Sequence, residues 1–297
     1  MRSGTAARDF PDSEDAKDLY LTLLKHALTY YLWGETLAPI ETMPRTSPLR
    51  KSLYWIVKAA DGLISSGSGG RVRLAYRFRF DPEKRIEGAD WPPLADTMIG
   101  LRRLNNIQSC IEEILRRNVP GDLIETGVWR GGAAIFMRGV LKAHGVTDRT
   151  VWAADSFQGL PPPDSDQYPS DAGDPHHRLS YFLGVSLEAV KRNFKRYGLL
   201  DDQVRFLEGW FKDTLPGAPI ERLALLRLDG DMYESTMDAL SSLYPKLSAG
   251  GYVIVDDYYL EGCKQAVHDY RQQHDIGDEI HRVGEYSAYW QRSRPPA

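Results

Sequence analysis

Residues 122–132 read Asp-Leu-Ile-Glu-Thr-Gly-Val-Trp-Arg-Gly-Gly, a short apolar run that ends in an acid and then turns through glycines. Five residues are too few for a helix, and the run does not alternate with polar residues. It fits a strand buried on both faces. Gly127 supplies a sharp turn and lets a ligand approach the backbone. Gly131 and Gly132 let the start of a following helix pack near the sheet. A nucleotide-like ligand is expected at such a junction, because a helix start offers unpaired N–H groups.

The same pattern repeats downstream. Val151–Asp155, Val204–Glu208, Ala224–Asp229 and Tyr252–Asp256 are further short apolar runs. Helical spacing occupies 131–144, 186–197, 233–246 and 262–274 between them. Ser186 suits an N-cap and Gly198 a left-handed C-terminal residue. Gly250-Gly251 is expected to break the chain before the last parallel strand. Glu279–Arg292 forms two extended halves around Gly284-Glu285, a plausible closing hairpin. Strand–helix alternation followed by a hairpin predicts an α/β, doubly wound sheet whose ligands lie at the carboxyl ends of the strands.

Upstream, 16–33 and 49–64 carry helical spacing, and Ser65–Gly70 has the composition of a linker. Residues 71–100 read as irregular. A helix is expected from about Met98 to Arg117, with Asp96 or Thr97 as its N-cap. The division is therefore an N-terminal helical extension over 1–85, serving as lid or oligomerisation element, and a main domain over 86–297. Tyr30, Tyr31 and Trp33 suit core or subunit contacts, so self-association as a dimer or larger is expected.

The acids at the strand tips carry the chemistry. Asp155 ends the second strand, where a carboxylate meets ribose hydroxyls. Glu125 could meet the amino-acid end of S-adenosylmethionine (SAM). An acid about 20 residues past the glycines also serves a dinucleotide, but the glycines do not form GxGxxG. Asp229 and Asp231 end the fourth strand, Asp256 and Asp257 the fifth. Both tips lie on one edge of a doubly wound sheet. Gathered there, the carboxylates would repel and raise each other's pKa unless a cation joined them. An all-oxygen set suits Mg²⁺. Asp229, Asp256 and Asp257 are the expected ligands. Asp231 fits a base, a supporting partner or a helix cap. Such an ion would acidify a hydroxyl that is otherwise a poor nucleophile.

The composition is that of a globular chain of 297 residues, 42% hydrophobic and 26% charged. A net charge of −4 argues against a nucleic-acid partner. Two distant cysteines make no disulfide framework, and neither a membrane span nor a secretion signal is evident, so the cytoplasm is expected.

Six stretches together resemble the TylF/MycF-type, or macrocin, O-methyltransferases, a family of antibiotic tailoring enzymes. They are TMIGLRRLNNI (97–107), DLIETGVWRGGAAIFMRGVL (122–141), WAADSFQGLPPPD (152–164), SLEAVKRNFKRYGLLDDQVRFLEGWFKDTLP (186–216), LLRLDGDMYESTMDAL (225–240) and LSAGGYVIVDDY (247–258). The resemblance implies a class I SAM-dependent methyltransferase fold, Mg²⁺, and a deoxysugar hydroxyl as acceptor, on a glycoside or a nucleotide sugar. It implies Asp229, Asp256 and Asp257 as metal ligands, with Asp229 or Asp231 near the departing proton. It places Glu125, Gly127, Asp155, Ser156, Gly209 and Trp210 around SAM, and Thr97, Met98 and Ile99 in a lid over it. The ends of the chain depart from the pattern: residues 1–85 are longer than usual, and the tail EYSAYWQRS matches loosely.

Residues 156–182 make a long connection of the kind that usually covers a substrate. His176 or His177 could serve there as a base, although adjacent histidines are more often incidental. The competing functions are a methyltransferase acting on a phenolic diol, an NAD-dependent oxidoreductase, and a SAM-binding interaction module.

Overall fold

The computed structural model describes residues 15–34, 37–45 and 47–293. The chain enters through α1 (Ala16–Leu28), capped by the Asp15 side chain on Lys17 N–H at 2.9 Å. β1 (Leu37–Pro39), α2 (Pro48–Gly67) and β2 (Ala75–Arg77) follow, with β1 and β2 paired antiparallel apart from the main sheet. α3 (Pro82–Glu87) and α4 (Gly100–Arg116) lead into the alternating part: β3 (Asp122–Thr126), α5 (Gly132–Ala143), β4 (Val151–Asp155), α6 (Ser180–Leu183), α7 (Leu187–Arg196), β5 (Val204–Glu208), α8 (Phe211–Thr214), β6 (Leu223–Leu228), α9 (Tyr233–Leu243), β7 (Leu247–Val255), α10 (Glu261–Gln273), β8 (His281–Val283) and β9 (Ser287–Gln291).

Seven strands form one sheet in the order β5-β4-β3-β6-β7-β9-β8. β3 to β7 run parallel, and β9 and β8 close the edge as an antiparallel hairpin. The chain steps outward from β3 to β5, returns to β6 and steps the other way. A cleft therefore opens where the order reverses, between β3 and β6. Register fixes what meets there. Thr126 lies beside Leu228, and Leu228 beside Val255. Gly127, Asp229 and Asp256 each come one residue later and leave the sheet together.

Alternation along the strands divides the core in two. Val151 and Ala153 face a layer with α1, α4, α5 and α7, while Trp152 and Ala154 face α9, α10 and the C-terminal hairpin. α1 contributes Leu21, Leu24 and Leu28 to the first layer, so this part of 1–85 is built into the main core. α2 is different: much of its apolar surface faces solvent.

Several local expectations need correction. The Ser65–Gly70 linker begins inside α2, which runs to Gly67 and ends on Ser68, whose N–H bonds Ile64 O. Residues 71–100 contain β2 and α3. The start of α3 was legible as Asp81-Pro82, with Asp81 accepting from Lys84 N–H at 3.3 Å. α4 starts at Gly100, and neither Asp96 nor Thr97 caps it; Asp96 instead accepts from the Tyr197 hydroxyl at 2.7 Å. The helical stretch 16–33 stops at Leu28, because Tyr30 takes a left-handed conformation (φ 58°) before a 3-10 turn. Gly250 and Gly251 lie inside β7 rather than before a strand, at a register shift against β6. A Cβ on Gly251 would lie 2.7 Å from Ala224 O, so glycine is what permits the irregularity.

Candidate active site

The strand tips touch only because one of them is glycine. Gly127 has φ +90°, and a Cβ there would lie 1.6 Å from Asp229 O. Gly132 serves a different neighbour than the sheet: its N–H bonds Asp96 O at 3.0 Å, and its missing Cβ leaves room for Thr97. Asp155 holds the glycine loop in shape. Its Oδ2 accepts from Val128 N–H at 2.6 Å and its Oδ1 from Phe157 N–H at 2.7 Å. Burial raises its pKa, and these N–H donors oppose the rise.

Beneath the next tip lies Arg227, fully buried within an otherwise apolar strand. Its Nη1 lies 2.5 Å from Glu125 Oε1 and 2.7 Å from Asp229 Oδ2, and its Nη2 lies 2.6 Å from Asp256 Oδ1. Glu125 therefore points into the sheet at Arg227 and not into the cleft. Burial pushes its pKa up to about 8, against the pull of Arg227.

Above Arg227, Asp229, Asp256 and Asp257 each present an oxygen within 4.8 Å of the others. Asp231 follows with a left-handed backbone (φ 63°), and its N–H donates to Asp257 Oδ2 at 3.2 Å. Burial and the neighbouring Asp229 bring its pKa up to about 7. Asp257 is raised further by burial, then by Asp231 and Asp229. Arg227 and Arg103 offset this group, with Arg103 paired to Asp256. Fully ionised, Glu125, Asp229, Asp231, Asp256 and Asp257 would outnumber the two guanidinium groups by three charges. Such an excess inside a protein takes up protons or a cation. The oxygen donors and their spacing fit a hard divalent ion.

A cavity of about 570 Å³ covers these groups, a volume suited to a cofactor and part of a substrate. Met98, Gly127, Asp155, Ser156, Trp210, Asp229, Asp231, Asp256 and Asp257 all line it. Thr97, Glu125 and Gly209 lie outside its wall and support it from behind. Residues 156–182 form one side. Asp171 anchors this segment by accepting from the N–H groups of Tyr233 and Glu234, at 2.6 and 3.3 Å, at the start of α9. His176 also lines the cavity, with Nδ1 3.1 Å from Asp174 Oδ2 and its ring stacked on Trp91. His177 turns its Nδ1 to Asp174 O instead.

Sequence reasoning missed Arg227, Arg103, Trp129 and Asp171. A lone arginine in the apolar run Leu223–Leu228 was the available signal for Arg227, since a buried charge requires partners. Nothing local marked the others.

The sheet order, the glycine turn at the reversal point and the acid at the second strand tip are those of a SAM-dependent O-methyltransferase. The chain belongs to the macrocin O-methyltransferase (TylF) family, whose model matches residues 17–292. It is 53% identical over 262 residues to demethyldecarbamoylnovobiocin O-methyltransferase of Streptomyces niveus, covering 87% of this chain and 100% of that protein. It is 58% identical over 216 residues to mycinamicin III 3''-O-methyltransferase of Micromonospora griseorubida, covering 72% of this chain and 85% of that one. It is 48% identical over 285 residues to an 8-demethyl-8-(2,3-dimethoxy-alpha-L-rhamnosyl)-tetracenomycin-C 4'-O-methyltransferase of Streptomyces olivaceus, covering 96% and 97%. The solved structure of the O-methyltransferase NovP superposes with a TM-score of 0.79 at 48% identity, covering 94% of this chain and 100% of that chain.

Proposed function

We propose that this methyltransferase acts on a hydroxyl of a sugar in the making of an antibiotic or similar natural product, with Mg²⁺ held by Asp229, Asp256 and Asp257. The observation that carries the reading is the convergence of those three carboxylates beside the glycine turn. The rhamnosyl-bearing compound in one relative's name supports the acceptor class. Mg²⁺ bound there would lower the pKa of an acceptor hydroxyl and fix its direction. Asp231 is the carboxylate placed to take the hydroxyl proton, and Asp229 holds the acceptor end of the site against Arg227. Gly127, Asp155, Ser156 and Trp210 form the donor end, and Met98 closes it from above. Thr97, Glu125 and Gly209 act on the donor through these neighbours. Excluding water lets each charge act at low dielectric. The test is turnover of glycoside and phenolic diol panels with SAM before and after chelation. Activity on glycosides that chelator abolishes and Mg²⁺ restores is the expected result. Metal-independent turnover, or activity confined to phenolic diols, would end this reading.

The proposed macromolecular partner is a second copy of this chain, and the 1–85 region is its point of contact. Leu49, Leu53, Ile56, Ala60 and Leu63 follow one another at spacings of four and three residues along α2, the seam of a coiled coil. Leu49, Ile56 and Leu63 are 80%, 68% and 77% exposed. Arg50 and Lys51 lie in the first turn of the helix, so an antiparallel pairing brings them to the partner helix's negative end. We place the enzyme in the cytoplasm, where its buried free thiols Cys110 and Cys263 stay reduced. No helix among the described residues is long and apolar enough to cross a membrane.

A further inference from the structure

Arg103 joins the carboxylate group to the wall over the donor. It leaves α4 within its first turn and is 8% exposed. Its Nη1 donates to Asp256 Oδ2. The other face of the fork holds backbone: Nε donates to Ile99 O at 2.6 Å, and Nη2 to Gly88 O at 3.1 Å and Met98 O at 3.4 Å. Gly88, Met98, Ile99 and Arg103 all line the cavity. The fit has no slack. A Cβ on Gly88 would lie 2.4 Å from Arg103 Nη2, and one on Gly100 would lie 2.4 Å from Gly88 N. A guanidinium is rigid, planar and permanently charged, so one of its edges cannot move without the other.

Asp256 is divided between two arginines. Oδ2 accepts from Arg103, and Oδ1 faces Arg227 Nη2 at 2.6 Å. A cation that draws on Asp256 competes with one of them. Arg227 has no room to yield, being fully buried and held also by Glu125 and Asp229. Arg103 is already bonded to three other acceptors, and all of them belong to the segment over the donor.

We propose that Arg103 is a positioning residue that couples filling of the cation site to closure of residues 88–99 over the donor. A cation drawing charge from Asp256 would weaken its hold on Nη1 and leave the bonds that Arg103 already makes to the carbonyls of Gly88, Met98 and Ile99 as its main ones, tightening its grip on that segment. The coupling rests on the proposed ion site at Asp229, Asp256 and Asp257. An ion pair that merely stabilises the fold would show no such link between the two ligands.

The experiment is titration calorimetry of the full chain with Mg²⁺ alone, with S-adenosylhomocysteine alone, and with each in the presence of the other. Linkage requires one coupling factor in both directions. The wild type should show each ligand tightening the other about fivefold or more, the lower end of typical couplings. Arg103→Lys keeps the charge and loses the fork. It should bind each ligand alone nearly as the wild type does, with the coupling factor falling to about one. Arg103→Gln should also lose the coupling, but by removing a positive charge beside Asp256 it should tighten Mg²⁺ alone; thermal unfolding identifies which variant is folded well enough to read. Coupling retained in a folded variant, or absent from the wild type, overturns the proposal. If the wild type binds S-adenosylhomocysteine but no Mg²⁺, the ion site itself is wrong and the coupling falls with it.

Discussion

The floor and the roof of the cavity are built by opposite means. The floor comes from three adjacent strand tips whose order is fixed by sheet register. Four of its charged groups are nearly inaccessible: Glu125, Arg227, Asp256 and Asp257 are 1%, 0%, 3% and 7% exposed, while Asp229 and Asp231 are half-buried. The roof comes from segments far apart in sequence, residues 88–99 and 156–182, joined by aromatic contacts such as Trp91 on Phe182, with Trp129 of the glycine turn packed on the same ring. Trp91 and Tyr181 remain 45% and 43% exposed. The floor cannot change without disturbing the sheet, so it holds what every turnover needs. The roof can vary at less cost to the fold.

The largest expected effect falls on the floor. Asp257→Asn should lower turnover on the order of a thousandfold, as loss of a preorganised electrostatic contact does. The fold should survive, and without metal the variant should melt at the same temperature or higher. Removing a like charge from a crowded, buried group relieves repulsion and cannot weaken it. Turnover within threefold of wild type would give Asp257 a purely structural role and erase the contrast with the roof.

Next comes the packing that holds the tips in place. Ile124→Ala in β3 should cost about 3 kcal/mol of stability, within the range for buried large-to-alanine changes. Leu49→Ala on α2 should change monomer stability by less than about 0.5 kcal/mol. Denaturant titrations giving similar losses would show that α2 packs as part of the core. The smallest expected change in activity, though not in assembly, is at the α2 seam. Ile56→Lys should shift sedimentation toward a monomer while SAM affinity stays unchanged. A monomeric wild type would remove the proposed contact.

The same contrast explains what could be read from the sequence. β3 and β4 were legible to the residue because a strand buried on both faces leaves a short, largely apolar run; β5, at the sheet edge, was legible too although Arg205 and Glu208 are exposed. The meeting of Asp229 with Asp256 and Asp257 followed from parallel strands placing both tips on one edge of the sheet. The partners of those acids were not legible. Arg227 and Arg103 each meet Asp256 across 29 and 153 residues of sequence, and only register and helix placement bring them together. Glu125 was read as facing the donor, and its pairing with Arg227 was not legible, because a strand-tip acid can face either the cleft or the sheet and the buried arginine draws it. The tail that matched the family loosely still completes the sheet: β9 places Trp290, fully buried, against the second core layer. A pattern of burial was enough there, and no particular sequence was required. The end of α2 was missed because serine and glycine were taken as a linker, whereas Ser65 to Gly67 finish a helix; α3, six residues long and started by Pro82, was too short to show a helical period.

The most direct measurement of the central claim is anomalous scattering from crystals grown with Mn²⁺ in place of Mg²⁺. The account predicts one strong peak enclosed by the carboxylates of Asp229, Asp256 and Asp257, absent from crystals of Asp257→Asn. A wild-type crystal with no peak among those three side chains, or with its metal bound elsewhere in the cavity, would contradict it.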